Sequence, residues 1–257
     1  MQASITKNKK RFIRTFVIFL ILCIWQICSY FLPSILLPSP IETYDELVKL
    51  IINGELISQL AQSGFRMLIG LAIGIIIAIS SGLIAGKFEV VYEIFRPIYS
   101  MIMGLPPIIV VVLAMVWFGT STAVPIFVVS VLVFPVIYLN TADGWRNIDK
   151  QLLEMGAIYK TSPFQNLKHI ILPGLAVPII SALSLAAGSA VRITIMAELL
   201  GANSGIGYSL ALARVNINTA KVFAWTIICI LIILILDHFV LNPVKNYVLR
   251  WNKQEVK

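Results

Sequence analysis

Charge is what this sequence has least of. Only 12% of its 257 residues are Asp, Glu, Lys or Arg, against about 25% in an ordinary soluble domain. So few charges cannot cover a globular surface, and a mean hydropathy of +0.92 makes the bilayer the solvent. Alternation is missing too. The apolar runs are continuous, which excludes a closed barrel. Cysteine is scarce: Cys23, Cys28 and Cys229 all lie in apolar runs. An odd number without short metal-type spacing is no disulfide framework and no metal site. No basic, aromatic-rich soluble stretch exists, so the net charge of +8 does not point to nucleic acid. Basic residues of a membrane chain belong in its cytoplasmic loops.

What is present is hydrophobic length, at 59% of the residues. A spanning helix needs about 20 apolar residues. The chain is expected to be all-α, one polytopic membrane domain over residues 1–257, with spans at 15–32, 64–86, 97–118, 123–141, 176–199 and 222–241. The first run exceeds a signal-peptide core and lacks a small-residue cleavage site, so it is kept as a span. Lys7, Lys9, Lys10, Arg11 and Arg14 precede it. Placing them inside also places Lys87, Arg96, Arg146, Lys150, Lys160, Lys168, Lys245, Arg250, Lys253 and Lys257 inside. The first outer loop is acidic, with Glu42, Asp45, Glu46 and Glu55 against Lys49. Both termini are therefore expected in the cytoplasm.

Span two carries Gly70, Gly74, Ala78, Gly82 and Gly86, each four residues from the last. Small-xxx-small spacing lets a neighbouring helix approach closely, so this stripe reads as a packing face. The same segment imitates a nucleotide loop at Gly82-Leu-Ile-Ala-Gly86-Lys87. It is one residue short, has Phe88 in place of Ser or Thr, and follows no strand, so it is rejected. Span three holds Gly104-Leu105-Pro106-Pro107. Proline frees backbone carbonyls and bends a helix. Pro106 and Pro107 serve either a broken helix that lines a path or a packing kink.

The polar stretch between spans four and five, 144–173, breaks the pattern. Glu154 to Tyr159 reads as a short helix. Ser162 then suits an N-cap, Pro163 the first helical position and Gln165 the third position of a capping box. Two short helices meeting at a turn with exposed apolar groups read as a protein-docking surface or as an interfacial amphipathic helix on lipid.

The same stretch resembles the EAA loop of binding-protein-dependent ABC importer permeases, with the pattern E-A-A-x(3)-G-x(9)-I-x-L-P. Glu154, Ile170, Leu172 and Pro173 fall at its spacing. Met155 and Gly156 stand for the alanines, and Lys160 for the glycine. The likeness continues through Leu37-Pro38-Ser39-Pro40, Arg66, Trp117-Phe118-Gly119, Ala197-Glu198-Leu199-Leu200 and Ser204-Gly205-Ile206-Gly207-Tyr208. All of these look like the nitrate, taurine and aliphatic sulfonate branch. The resemblance implies a type I importer permease fold in a bacterial cytoplasmic (inner) membrane. It implies a second permease copy as a homodimer, a cytoplasmic ATPase dimer and an extracytoplasmic solute-binding protein. Glu154, Met155, Gly156, Ala157, Lys160, Thr161, Ser162, Pro163, Ile170, Leu172 and Pro173 would then form the ATPase-coupling loop. The chain itself would be no enzyme and hold no cofactor, ATP being bound by the partner. The branch handles small anions such as sulfonates, taurine and nitrate, and also uncharged vitamin precursors.

Arg192, Glu198 and Asp237 lie within or near the ends of apolar runs. Ionisable groups there are costly and face protein or water. Arg192 and Glu198, six residues apart, sit about 240° apart round a helix and do not share a face. Both are candidates for the translocation path, together with Pro106 and Pro107. An interhelical ion pair of Arg192 with Asp237 is the structural reading. Two other classes compete. An ion-coupled secondary transporter would use Glu198 or Asp237 as proton carrier, but no internal repeat supports it. A vitamin-type scaffold would carry an Ala-Arg-Gly coupling motif, and the nearest match is Ala213-Arg214-Val215.

Overall fold

The computed structural model describes residues 7–159, 161–241 and Pro243, and every regular element among them is helical. In chain order these are α1 Lys7–Phe31, α2 Pro40–Ile52, α3 Glu55–Lys87, α4 Glu89–Gly104, α5 Pro107–Phe118, α6 Ala123–Arg146, α7 Lys150–Ile158, α8 Pro163–Asn166, a π-helical turn Leu167–Ile171, α9 Leu172–Gly201, α10 Ile206–Val215, α11 Thr219–Leu236 and a π-helical turn Asp237–Leu241. Among the described residues four helices are long and apolar enough to cross a bilayer, Glu55–Lys87, Ala123–Arg146, Phe164–Gly201 and Thr219–Phe239, and the bent pair α4–α5 makes a fifth if taken as one span. The first expected span falls on α1, of which Phe19–Phe31 is a shorter apolar helix. The basic residues expected after the last span, Lys245 to Lys257, and Lys160 lie outside the described residues.

Span three is broken at its proline pair, one of the two readings the sequence allows, and is not one continuous helix over 97–118. It is two helices, α4 and α5, bent by 101°. Leu105 (φ −78°, ψ 130°) and Pro106 (φ −57°, ψ 132°) are both extended. Each precedes a proline, whose ring excludes the helical region for the residue before it. Two such residues in succession turn a kink into a corner.

Span five differs as well. Leu172-Pro173 does not open a new helix, because the helix runs on from Phe164 to Gly201. Pro173 has no N–H and its ring crowds the preceding turn. The π-helical turn just before it, closed by Leu172 N–H to the Leu167 carbonyl, widens the helix there and absorbs the misfit.

The described residues form two compact units. One contains the residues up to Ser58 with Ser209–Cys229, the other Gln59–Tyr208 with the residues from Ile230. In the second, α6 is central. Its Val129, Val133, Ile137 and Tyr138 are buried with Ala182, Ala186 and Ala190 of α9. The glycine stripe of α3 is a packing face. A Cβ on Gly74 would lie 2.5 Å from Val133 Cγ2, one on Gly82 2.8 Å from Thr141 Cβ, and one on Gly86 would collide with Trp145. Helix α6 thus rides against bare α3 backbone.

The first unit is tied by polar contacts. Trp25 stacks on Phe223 at 5.7 Å and donates its Nε1–H to the Pro38 carbonyl at 2.9 Å. Thr219 donates to the Ile35 carbonyl at 2.6 Å, and Lys221 pairs with Glu55 at 2.9 Å. Helix α2 starts with a full capping box: Glu42 N–H donates to Ser39 Oγ, and Ser39 N–H to the Glu42 carboxylate. Pro40 occupies its first turn.

Candidate functional site

The polar stretch folds as a helix-turn-helix. Ser162 N–H donates to Gln165 Oε1 at 2.8 Å and Gln165 N–H to Ser162 Oγ at 3.2 Å, the reciprocal cap expected from sequence. Thr161 N–H and Thr161 Oγ–H both donate to the Gly156 carbonyl, at 3.0 and 2.8 Å. Gly156 is buried against Asn166, where a Cβ would lie 2.7 Å from Oδ1. The turn therefore closes on Gly156, one of the residues standing where the family pattern has alanine. Glu154 and Met155 are exposed. Ile158, Tyr159 and Phe164 are 78%, 76% and 71% exposed, so the tip is apolar and bare. Ile170 is half-buried, and Leu172 and Pro173 are exposed on the rising helix.

A second feature surrounds Arg192. It is exposed and lines a cleft of about 360 Å³ with Ser189, Ile193, Pro107, Leu105 and Pro135 among others. The corner between α4 and α5 and the middle of α9 thus meet at one cleft, which brings Pro107 and Arg192 together, with exposed Pro106 next in the chain. Along α9, Val177, Ser181, Leu185, Ser189 and Arg192 are all exposed. Their spacing of three or four residues makes one open face. Among the described residues Arg192 belongs to no ion pair. Asp237 begins the last π-helical turn.

Glu198 lies elsewhere. It is fully buried and accepts from Arg66 Nη1 at 2.9 Å, from Ser63 Oγ at 2.6 Å and from Gly207 N–H at 3.2 Å. Arg66 is 4% exposed. It also donates to the Ser204 carbonyl, to Ser204 Oγ and, at 3.2 Å, to Thr122 Oγ. Ser63 Oγ accepts from Ile206 N–H at 2.9 Å, and Gln59 Oε1 from Gly205 N–H at 2.6 Å. The two charges and the loop after α9 thus satisfy one another. This saturation is what allows a buried pair to stand, because taking two ions out of water costs several kcal/mol each. Gly205 has φ +102°, and a Cβ there would run into the Glu198 carboxylate. Only glycine serves at that place.

In the sequence Arg66 is a marker of the resemblance, near the start of span two at residue 64. The roles of Gln59, Ser63, Thr122 and Ser204 were not legible there. The available signal was the argument already applied to Glu198: an ionisable group in an apolar helix needs a partner. Arg66 sits well inside α3, yet its partner is 132 residues away, beyond any local spacing.

A family model for the binding-protein-dependent transport system inner membrane component matches residues 70–242. The chain is 34% identical over 202 residues to a putative aliphatic sulfonates transport permease protein of Escherichia coli (strain K12), covering 77% of this chain and 76% of that one. It is 29% identical over 233 residues to a protein of the same description from Bacillus subtilis (strain 168), covering 90% and 84%. A nitrate import permease protein of Leptolyngbya laminosa is 25% identical, covering 80% and 77%. Among solved structures, an inward-facing methionine ABC transporter, MetNI, matches with a TM-score of 0.64 at 15% identity, covering 75% of this chain and 95% of that one. This is a likeness of fold.

Proposed function

Because the chain belongs to the family of binding-protein-dependent transport system inner membrane components, a multi-pass ABC transporter permease of the inner membrane, we propose that it forms half of the path for a small anion. A solute-binding protein delivers the solute on one side, and an ATPase dimer grips residues 154–173 on the other. Both termini lie on the ATPase side, as the distribution of basic residues requires.

The observation that carries the coupling role is the bare apolar tip. Ile158, Tyr159 and Phe164 stand exposed on a turn held by Thr161 to the Gly156 carbonyl and by the reciprocal cap of Ser162 and Gln165. A turn built this firmly presents its apolar groups to a partner, and each such side chain gains about 1.5–3 kcal/mol on burial. Glu154, beside them, orients the docking by charge.

Arg192 supports the path. A charge on lipid at mid-membrane costs several kcal/mol. The open face of α9 with Ser181, Ser189 and Arg192 therefore faces water or a second permease copy. A homodimer puts two such faces opposite one another and encloses a polar path. The relatives are described as permeases for aliphatic sulfonates and nitrate, and a lone cation in the path suits anions of that kind.

A photo-reactive amino acid placed at Tyr159 or Phe164 in the assembled transporter tests the docking. Illumination should join this chain to the ATPase subunit, whereas the same group at Ile76, on the exposed side of α3, should capture lipid. Capture of lipid alone at Tyr159 and Phe164 would overturn the reading.

A further inference from the structure

Helix α2 has three distinct faces. With about 100° per residue, Ile41, Tyr44, Val48, Ile51 and Ile52 fall within an arc of about 100°. Glu42, Asp45, Glu46 and Lys49 fill the next arc. Thr43 and Leu50 lie on the remaining side and are buried, at 1% and 2% exposure. The apolar arc is largely bare: Ile41 is 67% exposed, Tyr44 65%, Ile51 56% and Ile52 76%, with Val48 half-buried among them. The charged arc is acidic, with Lys49 Nζ 2.8 Å from Glu46, which holds the ammonium above its ordinary range. A helix packed on one side and wet on a second leaves the third side to be explained.

The position of α2 in the chain names the occupant. It is strung between the end of apolar helix α1 at Phe31 and the start of spanning helix α3 at Glu55. Its leading segment is held down by Trp25 Nε1–H to the Pro38 carbonyl and by Thr219 to the Ile35 carbonyl. The leading end of α2 is thus fixed against α1 and the start of α11. Tyr30 and Phe31 of α1, then Ile35 and Leu36 of the link, are 62–83% exposed. The exposed apolar surface therefore continues along the chain from α1 into α2.

We infer that α2 lies in the membrane–water interface, with Ile41, Tyr44, Val48, Ile51 and Ile52 set into the boundary of headgroups and acyl chains and Glu42, Asp45 and Lys49 in water. An apolar arc opposite a charged one is the signature of a helix in the plane of the interface. Tyr44 suits that depth, because its ring is apolar and its hydroxyl polar. The charged arc carries three carboxylates against one ammonium, so anionic headgroups are not what holds the helix. Apolar burial is. The helix acts as a float that fixes the height of the α2–α3 corner at the bilayer surface.

The test uses the full chain in its assembled transporter, reconstituted into phosphatidylcholine vesicles, with Cys23, Cys28 and Cys229 replaced by Ser. Single cysteines at Ile41, Ile52 and Asp45 carry a polarity-sensitive fluorophore. Labels at Ile41 and Ile52 should be quenched by brominated acyl chains, with at least a threefold weaker response to iodide than the label at Asp45. The label at Asp45 should respond to iodide and not to brominated lipid. Iodide quenching at Ile41 and Ile52 equal to that at Asp45 would put the face in water and overturn the inference. Protection from both quenchers would put protein over the face and overturn it as well. Retained uptake by the labelled transporter shows that the chain is folded, and a spin label at Tyr44, read by oxygen against a water-soluble nickel chelate, provides a second site on the same arc.

Discussion

Arg66 and Glu198, far apart in the chain, meet as a buried ion pair at 2.9 Å and close α3 onto the end of α9. The pair is 4% and 0% exposed, and Ser63, Thr122, Ser204 and Gly207 add hydrogen bonds to it. Breaking such a pair from one side leaves an uncompensated buried charge, at about 3–5 kcal/mol. Arg66→Met or Glu198→Leu alone should therefore lower the thermal stability of the purified complex sharply. The double variant should recover most of it. Equal losses in the single and double variants, measured by thermal unfolding in detergent, would show that the two residues act separately.

Gly205 makes a second test of the same corner. Its positive φ costs any other residue on the order of 1–3 kcal/mol, and the collision with Glu198 adds to that. Gly205→Ala should destabilise the complex, whereas Gly104→Ala, where nothing lies within 4 Å, should be tolerated. Comparing the melting temperatures of the two variants decides it.

For the docking loop, Ile158→Asp should weaken ATPase association at least tenfold, since burying an apolar side chain of this size contributes about 1.5–3 kcal/mol. Glu154→Lys should have a similar effect by juxtaposing like charges. Both variants should insert normally, because Glu154 and Ile158 are exposed. Unchanged co-purification of the ATPase with either variant would remove the loop from the interface.

Arg192→Gln should leave assembly and basal ATP hydrolysis intact while reducing uptake roughly tenfold or more, the value of one charge-assisted hydrogen bond. No ion pair among the described residues is lost with it. Uptake at the parent rate by a well-expressed variant would exclude Arg192 from the path.

What could be read in advance was whatever depends on local spacing. The capping box at Ser162 and Gln165, the helix start at Pro163 and the packing face from Gly70 to Gly86 follow from intervals of three or four residues. The corner at Leu105-Pro106 was legible as a proline pair but not as a 101° bend, because two consecutive residues before prolines add in a way that one does not. The unbroken helix through Pro173 escaped, since a π-helical turn that absorbs a proline has no composition of its own. The Arg66–Glu198 pair escaped because partnership across 132 residues is set by packing. The glycine stripe foretold that α3 packs closely on a neighbour without naming α6.

The coupling of ATP hydrolysis to transport through residues 154–173 is the proposal on which the other roles depend. Its most direct test is uptake into vesicles containing the purified chain, its ATPase and its solute-binding protein, measured with ATP trapped on the ATPase side. The complex should hold two copies of this chain per ATPase pair, uptake should require ATP and the binding protein, and Glu154→Lys should abolish that uptake despite normal insertion. Uptake driven by an ion gradient without ATP, or ATP-driven uptake unaffected by Glu154→Lys, would contradict that coupling.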